Sequence, residues 1–297
     1  MSGTLFLIPN RISETAPVGT IPEETLQAAR GCRRFLAENA RSARAYLKTI
    51  GHPGPIAALE IIEIGHDPDP ARFDAWLRPV AEGADTAIVS ESGCPGVADP
   101  GAGIVARAAA MGIRVRPFVG PCSILLTLMA SGMNGQRFRF LGYLPIAEDE
   151  RAAALLALER ASRAGETQLF IETPYRNNQL LKTIAEVLSP GTRVTVAVDI
   201  TGASESIVTR TAQQWRSFEG SLPKLPTVFA LLAQERAPAH QRGNKHPGNP
   251  RKAAPEGAAH KRASGASEKT GRAHGKSAPG KPRRAGKTPR KAPRKAP

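Results

Sequence analysis

Cysteine is scarce in this 297-residue chain, and histidine is scarcer still over most of its length. The three cysteines, Cys32, Cys94 and Cys122, are an odd number with no short spacing between any two. Such a set makes neither a disulfide framework nor a zinc pattern, and it suits a reducing compartment. Before residue 236 the histidines are His52 and His66, too few to support a metal cluster or a Ser–His–Asp triad. His66, in GHDPDP, reads as a loop residue. The start, MSGTLFLIPN, has no basic n-region and no apolar stretch of signal-peptide length. The longest apolar run, around Ile124 to Ala130, is far too short to span a bilayer. A soluble, cytoplasmic protein with no metal and no membrane partner is expected.

No Walker A sequence occurs. Gly101-Ala-Gly103 followed by Ala106 has the look of a degenerate dinucleotide fingerprint, but it lies eleven residues past the end of its strand. That fingerprint must sit in the strand-to-helix turn itself. Nor is charge spread evenly. Residues 236–297 hold 18 Lys or Arg against Glu256 and Glu268 alone, a net of +16, whereas the preceding 235 residues carry 23 basic and 24 acidic side chains. The same tail has no Leu, Ile, Val or aromatic residue. A segment that cannot bury apolar surface cannot offset its conformational entropy, so it is expected to be disordered.

What the chain does have is alternation. Short apolar runs alternate with longer helical patterns, as in βαβ units with largely parallel sheets, an α/β fold. Strands are expected at Leu5 to Ile8, Ala57 to Ile64, Thr86 to Ser90, Ile113 to Val119, Gln168 to Glu172, Arg193 to Ile200 and Thr227 to Leu232. The spacing of Leu26, Ala29, Cys32, Arg33 and Leu36 predicts a helix over Glu23 to Glu38. Further helices are expected at Ser42 to Ile50, Ala71 to Glu82, Ala102 to Met111, Ile124 to Met133, Glu148 to Ala164 and Asn177 to Leu188. Beyond Arg137 the pattern restarts with FRFLGYLP, crossing into a second domain. The division expected is an N-terminal α/β domain over 1–117, a C-terminal α/β domain over 118–235, and the basic tail over 236–297.

Three loops rich in glycine and proline follow predicted strands, at the carboxyl edge where open α/β sheets bind ligands. They are Glu91 to Gly101 (ESGCPGVADPG), Val119 to Ser123 (VGPCS) and Glu172 to Arg176 (ETPYR). Each alone could be an ordinary tight turn. Asp99–Pro100 has the form of a helix N-cap followed by proline at the first helical position, and Ser123 that of another N-cap.

At these loops the chain resembles the ribosomal RNA small subunit methyltransferase I family of the tetrapyrrole methylase superfamily. ESGCPGVADPG is similar to that family's Ser-Asp-Ala-Gly-Thr-Pro-Gly-Ile-Ser-Asp-Pro-Gly signature. In chain order, Ala37-Glu38-Asn39-Ala40-Arg41 resembles Ala-Glu-Asp-Thr-Arg, VGPCS resembles Pro-Gly-Pro-Ser, and FIETPYR resembles Phe-Tyr-Glu-Ser-Pro-His-Arg. The similarity covers roughly residues 4 to 232. The departures are a first loop IPNRIS that lacks the family's glycine, Glu91 and Asn39 in place of aspartates, and a His-Glu-His-Asn segment reduced to His66.

The resemblance implies a two-domain fold with S-adenosylmethionine in the cleft between the domains, usually in a homodimer. It implies 2′-O-methylation of a cytidine in small-subunit ribosomal RNA. Carried onto matching positions, Gly93, Cys94 and Val97, then Ser123, Ile124 and Thr173, would touch the cofactor, and Pro9 would line the same cleft. Methyl transfer from a sulfonium rests on positioning and exclusion of water. A ribose hydroxyl must also lose its proton to a base, for which Glu91, Glu38 and Asp199 are candidates; each could equally be a carboxylate pairing with an arginine such as Arg41. The tail could be a solubilising extension or an arm for RNA phosphates. Two other readings stay open: a methyltransferase for a tetrapyrrole-like small molecule, and an RNA-binding protein that has kept the fold and lost the reaction.

Overall fold

In the computed structural model, which describes residues 2–234, the N-terminal half builds one five-stranded sheet. Its strands are β1 (Thr4–Ile8), β2 (Arg34–Ala37), β3 (Glu60–Glu63), β4 (Thr86–Val89) and β5 (Arg114–Pro117). Their order is β3-β2-β4-β1-β5 and every pairing is parallel. The inner strands β2 and β4 are buried at all positions, as a sheet covered on both faces requires. One cover is α1 (Glu23–Gly31) with α2 (Ala40–Thr49), which bring Leu26, Ala29, Tyr46 and Leu47 against Ile8, Phe35 and Val89. The other is α3 (Phe73–Ala81) with α4 (Ala102–Ala110), whose Trp76, Leu77, Val80, Ile104 and Ala108 pack on Leu5, Leu36 and Ile88.

The second sheet comprises β6 (Phe138–Tyr143), β7 (Thr167–Glu172), β8 (Arg193–Val198), β9 (Ser206–Thr211) and β10 (Thr227–Leu232), in the order β6-β7-β10-β8-β9. Central β10 (TVFALL) is buried throughout, and Phe229 stacks on its register partner Phe170 with ring centroids 5.7 Å apart. One face is covered by α6 (Glu148–Ser162), α7 (Asn177–Val187) and α8 (Ala212–Arg216) through Leu155, Leu180, Ile184 and Trp215. Against the other lies α5 (Ser123–Ser131), with Ile124 and Leu128 on Leu169, Ala197, Val228 and Ala230. Ile12, from the loop after β1, joins this last cluster and so ties the two sheets together.

Three expectations need amendment. The helix expected over Glu23 to Glu38 ends at Gly31, and Arg34–Ala37 is a strand. The parallel pattern holds throughout the first sheet, but in the second only β6 and β7 run parallel. The β8–β9 connection spans just 199–205, too short for a crossover and therefore a hairpin. That hairpin's second strand, and α8 after it, had no place in the sequence reading. Among the described residues no helix is long and apolar enough to cross a membrane. The tail expected to be disordered lies outside the described residues.

Candidate active site

The strand order creates the site. β4 lies beside β1, yet the helix after β1 packs on one face of the sheet and the helix after β4 on the other. Their loops part at the carboxyl ends and leave a crevice, the place where open α/β sheets hold ligands. Asn10 fixes its inner wall. Its N–H donates to the Gly93 carbonyl at 2.9 Å, and its Nδ2 donates to the Ser90 and Glu91 carbonyls at 3.1 and 3.0 Å. The first loop therefore grips the central loop through this asparagine. Gly93 has φ +70°, and a Cβ there would stand 3.3 Å from Ile12.

All three glycine- and proline-rich loops reach one cavity of about 320 Å³, within the range of small-molecule sites. Ser92–Cys94 and Val97–Asp99 come from the central loop, Cys122, Ser123 and Ile124 from the start of α5, and Glu172 and Pro174 from the end of β7. Ile12, Phe140, Ile171, Ile200 and Val228 supply apolar wall. Five of the expected cofactor contacts, Gly93, Cys94, Val97, Ser123 and Ile124, thus share this wall. Thr173 sits between two lining residues, its N–H held by Glu172 Oε1 at 2.6 Å. Glu172 is itself pinned by Arg176 at 2.7 and 2.9 Å. Pro9 stands behind the wall: its carbonyl accepts from Tyr46 Oη at 3.2 Å, and its ring presses on Gly120.

That last contact is severe enough to test. A Cβ added at Gly120 would fall 2.2 Å from the Pro9 Cβ, whereas one at Gly19 meets nothing within 4 Å. Overpacking of this kind costs about 1–3 kcal/mol. Gly120→Ala should lower the denaturant midpoint accordingly, with Gly19→Ala as the unaffected control.

The three carboxylates expected as bases do not line the cavity. Asp199, buried with φ +48°, accepts from Ser204 N at 2.9 Å and shapes the β8–β9 turn. Glu91 Oε1 accepts from Ser42 Oγ at 2.7 Å, and Glu38 Oε1 is 2.8 Å from His66 Nδ1. Glu38, through its hydrogen bond and then its charge, raises the His66 pKa above its ordinary value. The Asn39 that replaces an aspartate caps α2, its Oδ1 accepting from Arg41 and Ser42 N–H at 2.9 and 3.1 Å. An asparagine does this as well as an aspartate.

Besides Glu172, which Arg176 pins, the acid that lines the cavity is Asp99. It is no helix cap, because α4 begins only at Ala102 with Gly101 at its N-cap; nor does Ser123 cap α5, where Cys122 holds that position. Burial pushes the Asp99 carboxyl up to about 6, and the charges of Glu38 and Glu91 act in the same direction. The Ser90 hydroxyl and His66 pull the other way. Among the described residues Ser90 Oγ nevertheless makes no well-formed hydrogen bond, and Asp99 Oδ2 is buried without a partner. The preceding Ala98 is held at φ +58°, a strain that clusters at functional sites. In the sequence Asp99 stands out only as a member of the signature and as a helix-cap candidate.

Comparison with known proteins assigns the chain to a family. The profile of the tetrapyrrole (corrin/porphyrin) methylases matches residues 21–215. The ribosomal RNA small subunit methyltransferase I of Pseudomonas aeruginosa is 30% identical over 209 residues, covering 69% of this chain and 69% of its own length. Its namesake in Escherichia coli O157:H7 is 32% identical over 206 residues, covering 69% of this chain and 68% of its own length. Among solved structures, a conserved hypothetical protein from Aeropyrum pernix K1 has a TM-score of 0.56 at 17% identity, covering 80% of this chain and 86% of its own. The methyltransferase CobJ has a TM-score of 0.51 at 18% identity, covering 78% and 93%. Those two share the fold. With the family matched over more than half of its length, the chain belongs to the tetrapyrrole (corrin/porphyrin) methylases and is a methyltransferase.

Proposed function

We propose that this protein methylates RNA with S-adenosylmethionine as donor, its acceptor being a cytidine ribose 2′-hydroxyl of small-subunit ribosomal RNA. Support comes from relatives named ribosomal RNA small subunit methyltransferase I at 30 and 32% identity. The observation that carries the reading is one cavity walled by all three motif loops, with Asp99 in its lining and a carboxylate oxygen of Asp99 buried without a partner among the described residues. The residues present fit the donor. Apolar Ile12, Ile124, Ile171 and Val228 offer a surface for a flat ring, the Gly93–Asp99 turn and Cys122–Ile124 bring backbone close, and Asp99 answers a cationic sulfur. Bound there, the donor supplies an electrophilic methyl group whose leaving group is a neutral thioether.

The chain's own part is to hold the acceptor in line, exclude water and take one proton. We assign that proton to Asp99, whose pKa of about 6 leaves it ionised yet basic near neutral pH. Glu38 and Glu91, two of the carboxylates expected as bases, tune it by their charge, while Asp199 holds its turn. In this reading the segments 1–117 and 118–235 are two domains that close around the donor, and the enzyme works in the cytoplasm. It also works as a homodimer, for which exposed Val119, Leu125 and Met129 offer an apolar surface.

Calorimetry with S-adenosylmethionine tests the donor. Labelled methyl groups should then enter small-subunit RNA from a strain lacking this enzyme, and not RNA from its parent. Absence of binding heat would leave a non-catalytic RNA-binding protein. Donor binding with no RNA labelling would favour a small-molecule acceptor.

A further inference from the structure

Cys94 and Cys122 are 28 positions apart in sequence, yet both belong to the wall of the cavity and both are half-buried free thiols. Cys94 Sγ donates to the carbonyl of Pro121, the residue before Cys122, at 3.6 Å. Each of the two thiols shifts the pKa of the other. Cys122 is the N-cap of the nine-residue α5; its side chain makes no capping hydrogen bond, yet the backbone N–H groups of Ile124 and Leu125 still lower its pKa. Helix N-termini and a neighbouring donor favour thiolate. We propose that Cys94 and Cys122 form an oxidisable dithiol, converted by hydroperoxides to a disulfide that weakens binding of the methyl donor.

The chemistry divides between the two sulfurs. The neighbouring Cys94 thiol, and to a lesser extent those backbone N–H groups, lowers the pKa of Cys122 against the effect of burial, so Cys122 is the nucleophile. Cys94 is raised, first by its bond to Cys122 and then by burial, and stays protonated as the resolving thiol. The Cys122 thiolate attacks one oxygen of hydrogen peroxide and the O–O bond breaks. Hydroxide leaves, is protonated to water, and a sulfenic acid remains on Cys122. The Cys94 sulfur then attacks the Cys122 sulfur, the S–O bond breaks, and the departing hydroxide takes the Cys94 proton as a second water. Two thiols and one peroxide become one disulfide and two waters. Cys32 does not compete: it is 2% exposed in the core, where burial pushes its thiol up to about 12.

The bond would draw the sulfurs to about 2.05 Å, pulling the central loop onto the start of α5. Gly93, Cys94, Ser123 and Ile124 all line the cavity on those two segments. Donor and disulfide are therefore expected to oppose each other, and linkage makes the effect reciprocal. This part of the inference rests on the donor reading above; the disulfide itself does not.

Oxidation of the full-length protein with hydrogen peroxide, followed by intact and peptide mass spectrometry, reads the bond directly. The expected product has lost two hydrogens, carries a Cys94–Cys122 crosslinked peptide and a free Cys32, and returns to the starting mass with dithiothreitol. Calorimetry should then show S-adenosylmethionine bound at least about tenfold more weakly by the oxidised form, about 1.4 kcal/mol, with dithiothreitol restoring it. Cys122→Ser should form no such crosslink. Persistence of both thiols, sulfinic acid without a crosslink, or a crosslink to Cys32 would overturn the dithiol. A Cys94–Cys122 disulfide that leaves the affinity unchanged would overturn its opposition to the donor. Failure of the reduced protein to bind S-adenosylmethionine would instead strike the donor reading, and the mass data would still decide the dithiol.

Discussion

Asp99→Asn is expected to lower kcat for methyl transfer by roughly 10²–10⁴-fold, the usual contribution of a positioned general base. Affinity for S-adenosylmethionine should change far less, because most of the cavity wall is apolar side chain and loop backbone. The wild-type pH profile should carry the same signature. Only the ionised carboxylate accepts a proton, so log kcat/KM, which reports the free enzyme, should climb with unit slope from low pH and level off above a value of about 6. In Asp99→Asn that bend should vanish. Glu38→Gln and Glu91→Gln should keep it but move it to lower pH, since each removes a negative charge that raises the Asp99 pKa. A profile in Asp99→Asn that still bends near pH 6 would assign the proton to another group.

The same substitution should stabilise the fold. Asp99 has a folded-state pKa of about 6 against an ordinary value of 3.8. A raised carboxyl contributes stability that is present in full below pH 3.8 and is lost as pH rises through 6. At pH 8 the wild type therefore carries a half-buried charge that asparagine lacks. After allowance for the solvent that still reaches this carboxyl, the gain is about 1 kcal/mol, or roughly 2–4 °C in Tm for a domain of this size. It should disappear at pH 3.5. Lost activity joined to gained stability marks a residue kept for chemistry and not for the fold.

Much of this architecture was legible in the chain because burial on both faces leaves unbroken apolar runs. TAIV and TVFALL read as strands for that reason, and both are wholly buried. The same property misled at Arg34–Ala37, where RFLA is also buried throughout. A strand with no exposed face has no period of its own, and it merged with the helical spacing of α1. The β8–β9 hairpin escaped notice because Asp199 and Thr201 take positive φ, where a glycine or asparagine would have flagged the turn.

At the site, glycine and proline marked the loops because close backbone approach demands them, as Gly120 against Pro9 shows. Roles did not follow from the loops. Whether a carboxylate in a motif is a base, a turn clamp or a tuning charge depends on what buries it. Asp99, Asp199 and Glu91 separate only once the chain is folded, with Ser204 on Asp199, Ser42 on Glu91 and Asn10 beneath the central loop. The Cys94–Cys122 pair is likewise a product of tertiary structure.

Removal of residues 236–297 is the second change expected to have a large effect. The body has 23 basic against 24 acidic side chains, so it has little net attraction for a polyanion, whereas the removed segment holds 18 Lys or Arg and two Glu. Each phosphate neutralised by a cation releases counterions, and log K falls with log salt at about 0.7 per contact on single strands. If a third of the 18 cations engage RNA, the full chain should lose roughly 10²–10³ in affinity between about 50 and 200 mM salt. The truncated chain should bind more weakly at low salt and show a nearly flat slope. Its affinity for S-adenosylmethionine should be unchanged, because every cavity-lining residue precedes position 229. The segment has no aromatic residue on which a base could stack, so it should raise affinity for RNA of any sequence without choosing the methylated position. Truncation should therefore raise KM for RNA and leave the mapped product unaltered. Equal salt slopes for the two chains would show that the basic segment serves solubility alone.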